Sequence, residues 1–162
     1  MPSGQDSLLS KVQASFQQLS GAAKGLNTTS DLLAKPISEL ESAIKALNLG
    51  ITCWVTIHKW SSPDKTSETF DELGYAKIDG KWGFAIRTRE CIDYADYNNI
   101  EGQWLFNEAP RSLRADAVEH LPKLLDALAR DAITTTKKLA EKVEQARQLA
   151  SAVKSTAEQP RS

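Results

Sequence analysis

Asp79-Gly80, set between LGYAKI and KWGFAIRTR, constrains this chain more than any other pair of residues. A two-residue type I′ hairpin turn needs positive φ at both central positions, and Asp followed by Gly supplies that at little cost. Such a turn dictates the pairing of its two strands. Ile78 then faces Lys81, Ala76 faces Gly83 and Gly74 faces Ala85 on one side. Tyr75 lies against Phe84, Lys77 against Trp82 and Leu73 against Ile86 on the other. One face of the hairpin is bulky, and the other is stripped to glycine and alanine.

Upstream, ITCWVTIHKW (51–60) alternates strictly and is rich in β-branched and aromatic residues, the pattern of a strand. Alternation turns Ile51, Cys53, Val55 and Ile57 toward the bulky face, and Trp54, His58 and Trp60 toward the Gly/Ala face. SSPDKTSET (61–69) reads as a polar loop. ECIDYADYNNIEG (90–102) reads as another, with a short last strand from Gln103 to Phe106. The centre is thus expected to be a four-stranded antiparallel meander over 50–107.

Helical periodicity flanks it. From Leu9, apolar and small residues recur at Val12, Phe16, Leu19, Ala23, Leu26, Ser30, Leu33, Ile37, Leu40, Ile44 and Leu47, in alternating steps of three and four. Gly21, Gly25, the polar run 27–30 and Pro36 weaken that seam. They predict one helix over about 7–26 and a second over about 31–48, kinked or restarted near Pro36, where Ser38 to Glu41 has capping-box spacing. Gly50 is expected to end it. After the sheet, Asn107 is a candidate N-cap, a helix runs to about Leu121, and Pro122 kinks or restarts it. A long amphipathic helix continues to about Val153 with its seam at Leu121, Leu125, Leu128, Ala132, Thr135, Leu139, Val143, Ala146, Ala150 and Val153. The expected fold is α+β: a meander packed with N-terminal helices and a long C-terminal helix, as a single domain over 1–162.

Two contact surfaces follow. Trp54, His58 and Trp60, beside a floor of Gly74, Ala76, Gly83 and Ala85 with Arg87 and Arg89 at its end, outline an aromatic trough for a small ligand or peptide. The competing expectation is that the tryptophans fold over the glycines and shield the backbone. The distal C-terminal helix outreaches what a small sheet can cover, which points to Leu139, Val143, Ala146 and Val153 as a surface for a second copy or another helix.

Chemistry is poorly supported by comparison. Strict alternation puts Cys53 on the face opposite His58, leaving Cys91 or Asp93 as its conceivable partners, and His120 belongs to a helix end. Two histidines and two cysteines show no metal-ligand spacing, and Asp93, Asp96, Asn98 and Glu101 miss the calcium-loop pattern. Ser62 to Lys65 matches SxxK in letters only, and no phosphate-binding glycine loop is present. No metal or cofactor is expected. With 20 basic and 21 acidic residues the chain nets −1, and the centre is the acidic part. Arg87, Arg89, Lys59 and the tryptophans are therefore a poor nucleic-acid platform. No apolar run approaches the ~20 residues of a membrane helix, and no secretory leader pattern opens the chain. The sequon at Asn27 is then a chance match and the location cytoplasmic. The leading expectation is a non-enzymatic interaction or assembly module working through its helical seams as a homo-oligomer. A small-ligand or peptide binder using the Trp/His face is the alternative, with catalysis third.

Overall fold

The computed structural model describes residues 3–92 and 97–160. The chain forms two compact units, Met1–Leu47 and Asn48–Ser162. The first is a single helix, α1 (Gly4–Ala46), uninterrupted through the glycines, the polar run and Pro36 where two helices were expected. Proline removes one amide and costs about 3 kcal/mol in a helix interior. A true break would forfeit several bonds and require a second nucleation, so a long helix tolerates it. Ser3 and Asp6 form a reciprocal capping box at the N-terminus, with Asp6 N donating to Ser3 Oγ at 3.4 Å and Ser3 N to Asp6 Oδ2 at 3.3 Å. Ser38 serves no such purpose: its carbonyl accepts from Ser42 Oγ at 2.9 Å within the helix. Termination falls to Asn48 at φ 51, just past the Leu47 cap, rather than to Gly50.

The second unit is α+β. Its strands are β1 (Cys53–Ser61), β2 (Ser67–Ile78), β3 (Lys81–Ile92) and β4 (Tyr97–Leu105), in the antiparallel order β1-β2-β3-β4 of a meander. Asp79 (φ 48) and Gly80 (φ 81) make the turn, and every pair expected from it is present, from Ile78–Lys81 to Leu73–Ile86. The hairpin then runs on to Ser67–Ile92, and β4 begins at Tyr97, so the strands are longer than the sequence pattern suggests. Polar residues such as Glu68, Thr69 and Glu90 occupy that extension, where alternation of hydrophobicity gives no signal.

A 3₁₀ turn (Phe106–Glu108), helix α2 (Arg111–Val118) and helix α3 (Leu121–Ala157) follow. Asn107 lies inside the turn; Pro110 is the N-cap residue of α2, and Pro122 sits in the first turn of α3, where its missing amide is harmless. Helices α2 and α3 pack on the bulky face of the sheet. Leu73, Phe84, Ile86 and Leu124 are fully buried there, with Tyr75, Phe106, Ala117 and Leu128 around them. Trp82 and Trp104 are half-buried. Trp82 stacks on Tyr75 at 5.4 Å between ring centroids, and Trp104 folds over Gly102.

Burial predicts an order of costs. Phe84→Ala should destabilise by about 3–5 kcal/mol, the usual range for a buried aromatic, and Trp82→Ala by less. Urea denaturation of both variants checks the order, and equal midpoints would contradict it.

Candidate functional site

A β-bulge reorganises the face on which the trough was expected. Between Thr56 and His58 the register slips by one residue: Thr56 pairs with Glu72, but His58 already pairs with Asp71. One extra residue turns every later side chain of the strand to the opposite side. His58 and Trp60 therefore stand on the helix-covered side with Cys53, Val55 and Asp71. Trp54 stays on the Gly/Ala side with Arg87 and Arg89. The five residues grouped from the sequence do not share one surface, and Cys53 and His58, expected on opposite faces, share one.

On the Gly/Ala side the floor is filled. Every residue from Asp71 to Ala76 and from Gly83 to Ile86 is buried, so no wet central face exists. Trp54 lies flat on Gly74: a Cβ there would come within 2.3 Å of the indole. Trp54 and Leu105 pack against the cluster Ala76, Ile78 and Ala85. The tryptophan replaces the side chains the glycine lacks.

Beyond Trp54 the same side becomes charged. Glu72, itself buried, accepts from Arg87 Nε at 2.9 Å and Arg89 Nε at 2.8 Å through one oxygen. Arg87 stacks on Trp54 at 3.9 Å from the ring centroid, and Arg89 on Phe70 at 4.7 Å, with Lys59 over the same phenyl ring at 5.6 Å. The bond to Glu72, opposed by partial burial, raises the Arg89 pKa further and keeps it charged. Arg89 also reaches Cys91 and Asn98 Oδ1. Both guanidiniums are thus held by a carboxylate and an aromatic face, an arrangement that fixes the ends of three strands.

On the helix side, His58 is clamped. Its Nδ1 lies 3.1 Å from Asp71 Oδ2 and its Nε2 3.2 Å from Asp116 Oδ2 of α2, while Thr88 Oγ1 donates to Asp71 Oδ1 at 2.6 Å. With a carboxylate on each ring nitrogen, neither is placed to take a proton from a nucleophile, and the group ties α2 to the sheet. Cys91 lies on the other side, and Asp93 and Asp96 lie outside the described residues. Cys53 is buried next to Asp131 of α3; burial first, then the carboxylate's hydrogen bond and charge, raise its thiol from the ordinary 9.0 to about 11. Ser62 is a turn residue: its hydroxyl donates to Asp64 at 2.6 Å and accepts the Ser67 amide at 3.1 Å, while Lys65 sits at φ 56. Among the described residues no group of three or more His, Cys, Asp and Glu could hold a metal, and no helix is long and apolar enough to cross a membrane.

A long apolar surface left without cover in this unit runs along α3. Leu121, Leu124 and Leu128 are buried and Ala132 and Thr135 half-buried, but the stripe does not stop there. At 3.6 residues per turn, Leu139, Val143, Ala146, Ala150 and Val153 continue the sheet-packing stripe in a sector about 80° wide. They are bare, with Leu139 62%, Val143 47% and Val153 71% exposed. In the first unit, Leu9, Val12, Phe16 and Leu19 of α1 are likewise exposed, each by 60% or more. The chain matches no protein-family model, no curated protein and no solved structure.

Two outcomes test the sheet's interior. Gly74→Val should expel the Trp54 indole, giving a red-shifted tryptophan emission and a lower urea midpoint; an unchanged spectrum would contradict the packing. The folded protein holds the Cys53 proton up to about 11, whereas the unfolded thiol releases it near 9.0. Its contribution is complete below the unfolded value and fades as pH rises through the folded one. The stability difference between the native chain and Cys53→Ala should therefore shift against the native chain between those values. A pH-independent difference would contradict it.

Proposed function

We propose that this protein is a non-enzymatic assembly module that docks a partner helix along the distal half of α3. One observation carries the reading: the apolar face that α3 buries against the sheet continues, in phase, far past the last buried residue. Helix faces of this kind are stable in water when another element covers them. Leu139, Val143, Ala146 and Val153 are the residues assigned to the contact. A narrow stripe in which leucine and valine alternate with alanine suits helix–helix packing, because small residues let two backbones approach to about 8–10 Å.

The alternative of a ligand trough has less support, because Trp54 occupies the floor and the other aromatic residues of the set face elsewhere. Trp54, Arg87 and Arg89 are accounted for by packing on Gly74, Glu72 and Phe70.

The test uses the full chain and a labelled three-heptad peptide with leucines along one face and glutamines beside them. Fluorescence anisotropy should show binding to the native chain. The double variant Leu139→Asp, Val143→Asp should bind at least tenfold more weakly, a loss of about 1.4 kcal/mol or more, with unchanged circular dichroism because both residues are exposed. Equal binding by the two proteins, or none by either, would overturn the reading.

A further inference from the structure

The borders of the bare α3 stripe differ in charge from its back. With the stripe centred on Leu139, Ala146 and Val153, helical geometry places Lys138 and Lys142 along one edge and Arg147 and Lys154 along the other. The acids of this segment, Glu141 and Glu144, lie on the far side. Glu144 is 67% exposed and draws Arg147 toward it only to 3.9 Å, a weak surface pair. Lys142 reaches Gln145 at 3.1 Å along the same edge. Of the positions that directly flank the seam in a two-helix contact, Ala140, Arg147 and Lys154 on one edge and Lys142, Leu149 and Thr156 on the other, half are basic and none is a carboxylate.

That pattern selects a partner. Flanking residues meet across a helix pair and set its choice of partner through charge. A parallel second α3 laid along the first would bring Lys142 against Arg147 across the seam, which opposes self-pairing. The exposed stripe of α1 from a second copy offers bulk but little acid: beside Leu9, Val12, Phe16 and Leu19 stand Gln13, Ser20 and a single carboxylate, Asp6, which is engaged with Ser3 in the capping box. A lipid surface fits the charge but not the face, since Ala146 and Ala150 add little to insertion and α3 carries no aromatic residue to anchor it. Resting on the docking reading above, we infer that the occupant is an amphipathic helix of a different protein. Its apolar seam is bordered by Asp or Glu, and large side chains lie opposite Ala146 and Ala150.

The experiment compares two further labelled peptides with the leucine face already described, one bordered by glutamate and one by lysine, on the full chain. The glutamate peptide should bind at least tenfold more tightly at low salt, and the gap should shrink as salt is added. Lys138→Glu, Lys142→Glu, Arg147→Glu and Lys154→Glu together should invert the preference. The four glutamine substitutions, milder for the fold, should erase it. Equal affinity for both peptides, or a preference that survives reversal, would overturn the inference. It would leave the docking reading standing if both peptides are lost in Leu139→Asp, Val143→Asp. Self-association through α3 at low salt, seen by sedimentation, would overturn it in favour of a second copy. Co-sedimentation with phosphatidylserine vesicles, with no preference between the peptides, would overturn it in favour of a membrane.

Discussion

Two residues in the left-handed region of backbone space, Asp79 and Gly80, hold β2 and β3 in a single register. Side chains in a strand alternate with a period of two, so a slip of one residue would exchange the faces. It would set Tyr75, Phe84 and Leu73 where Gly74, Ala76 and Ala85 now lie. The division of labour in the second unit follows from that turn. Helices α2 and α3 need large rings and branched chains to bury, and they find them on one side only. The other side leaves space over Gly74, which Trp54 fills, with Leu105 packed beside it on Ala76, Ile78 and Ala85.

The bulge at Ile57 supplies the second constraint. By consuming one residue without a partner, it gives β1 a different polarity before and after, so one strand serves two surfaces on each side of the sheet. His58 leaves the aromatic side and meets Asp71 and Asp116. Lys59 takes its place, over Phe70 and beside the two arginines. A buried carboxylate such as Glu72 would be costly alone. Two guanidinium bonds, each backed by an aromatic ring, offset the loss of water and make the cluster dependent on all its members. Charge and aromatic rings gathered in this way cross-link β1, β2 and β3 on that side of the sheet.

Helix α3 belongs to two environments. Its first turns complete the hydrophobic core, and the remaining length carries the same apolar phase into solvent, bordered by cations. Continuity of phase links the two: the sheet holds the helix in a fixed rotation, which fixes the direction in which Leu139, Val143 and Val153 point. The folded unit thereby presents an oriented seam, and on the docking reading proposed above a partner would meet a helix already formed, with its ordering entropy lost beforehand.

Local chemistry alone determined the hairpin, its register, the alternation of bulk and the periodic stripes. Each rests on backbone geometry within a few residues: positive φ at Asp-Gly, a two-residue period in strands, a 3.6-residue period in helices. Gly74 under Trp54 was among the arrangements the sequence allowed, because glycine and a large ring fill one space between them. Tertiary structure decided what depends on distant partners. The bulge that sends His58 to Asp116 arises from pairing with β2 and leaves no mark in the alternation of 51–60. Likewise α1 runs through Pro36, because a long helix loses less by omitting one hydrogen bond than by ending and nucleating again. Which part of the α3 stripe is buried was set by where the sheet stops, a distance in space that no spacing along the chain records.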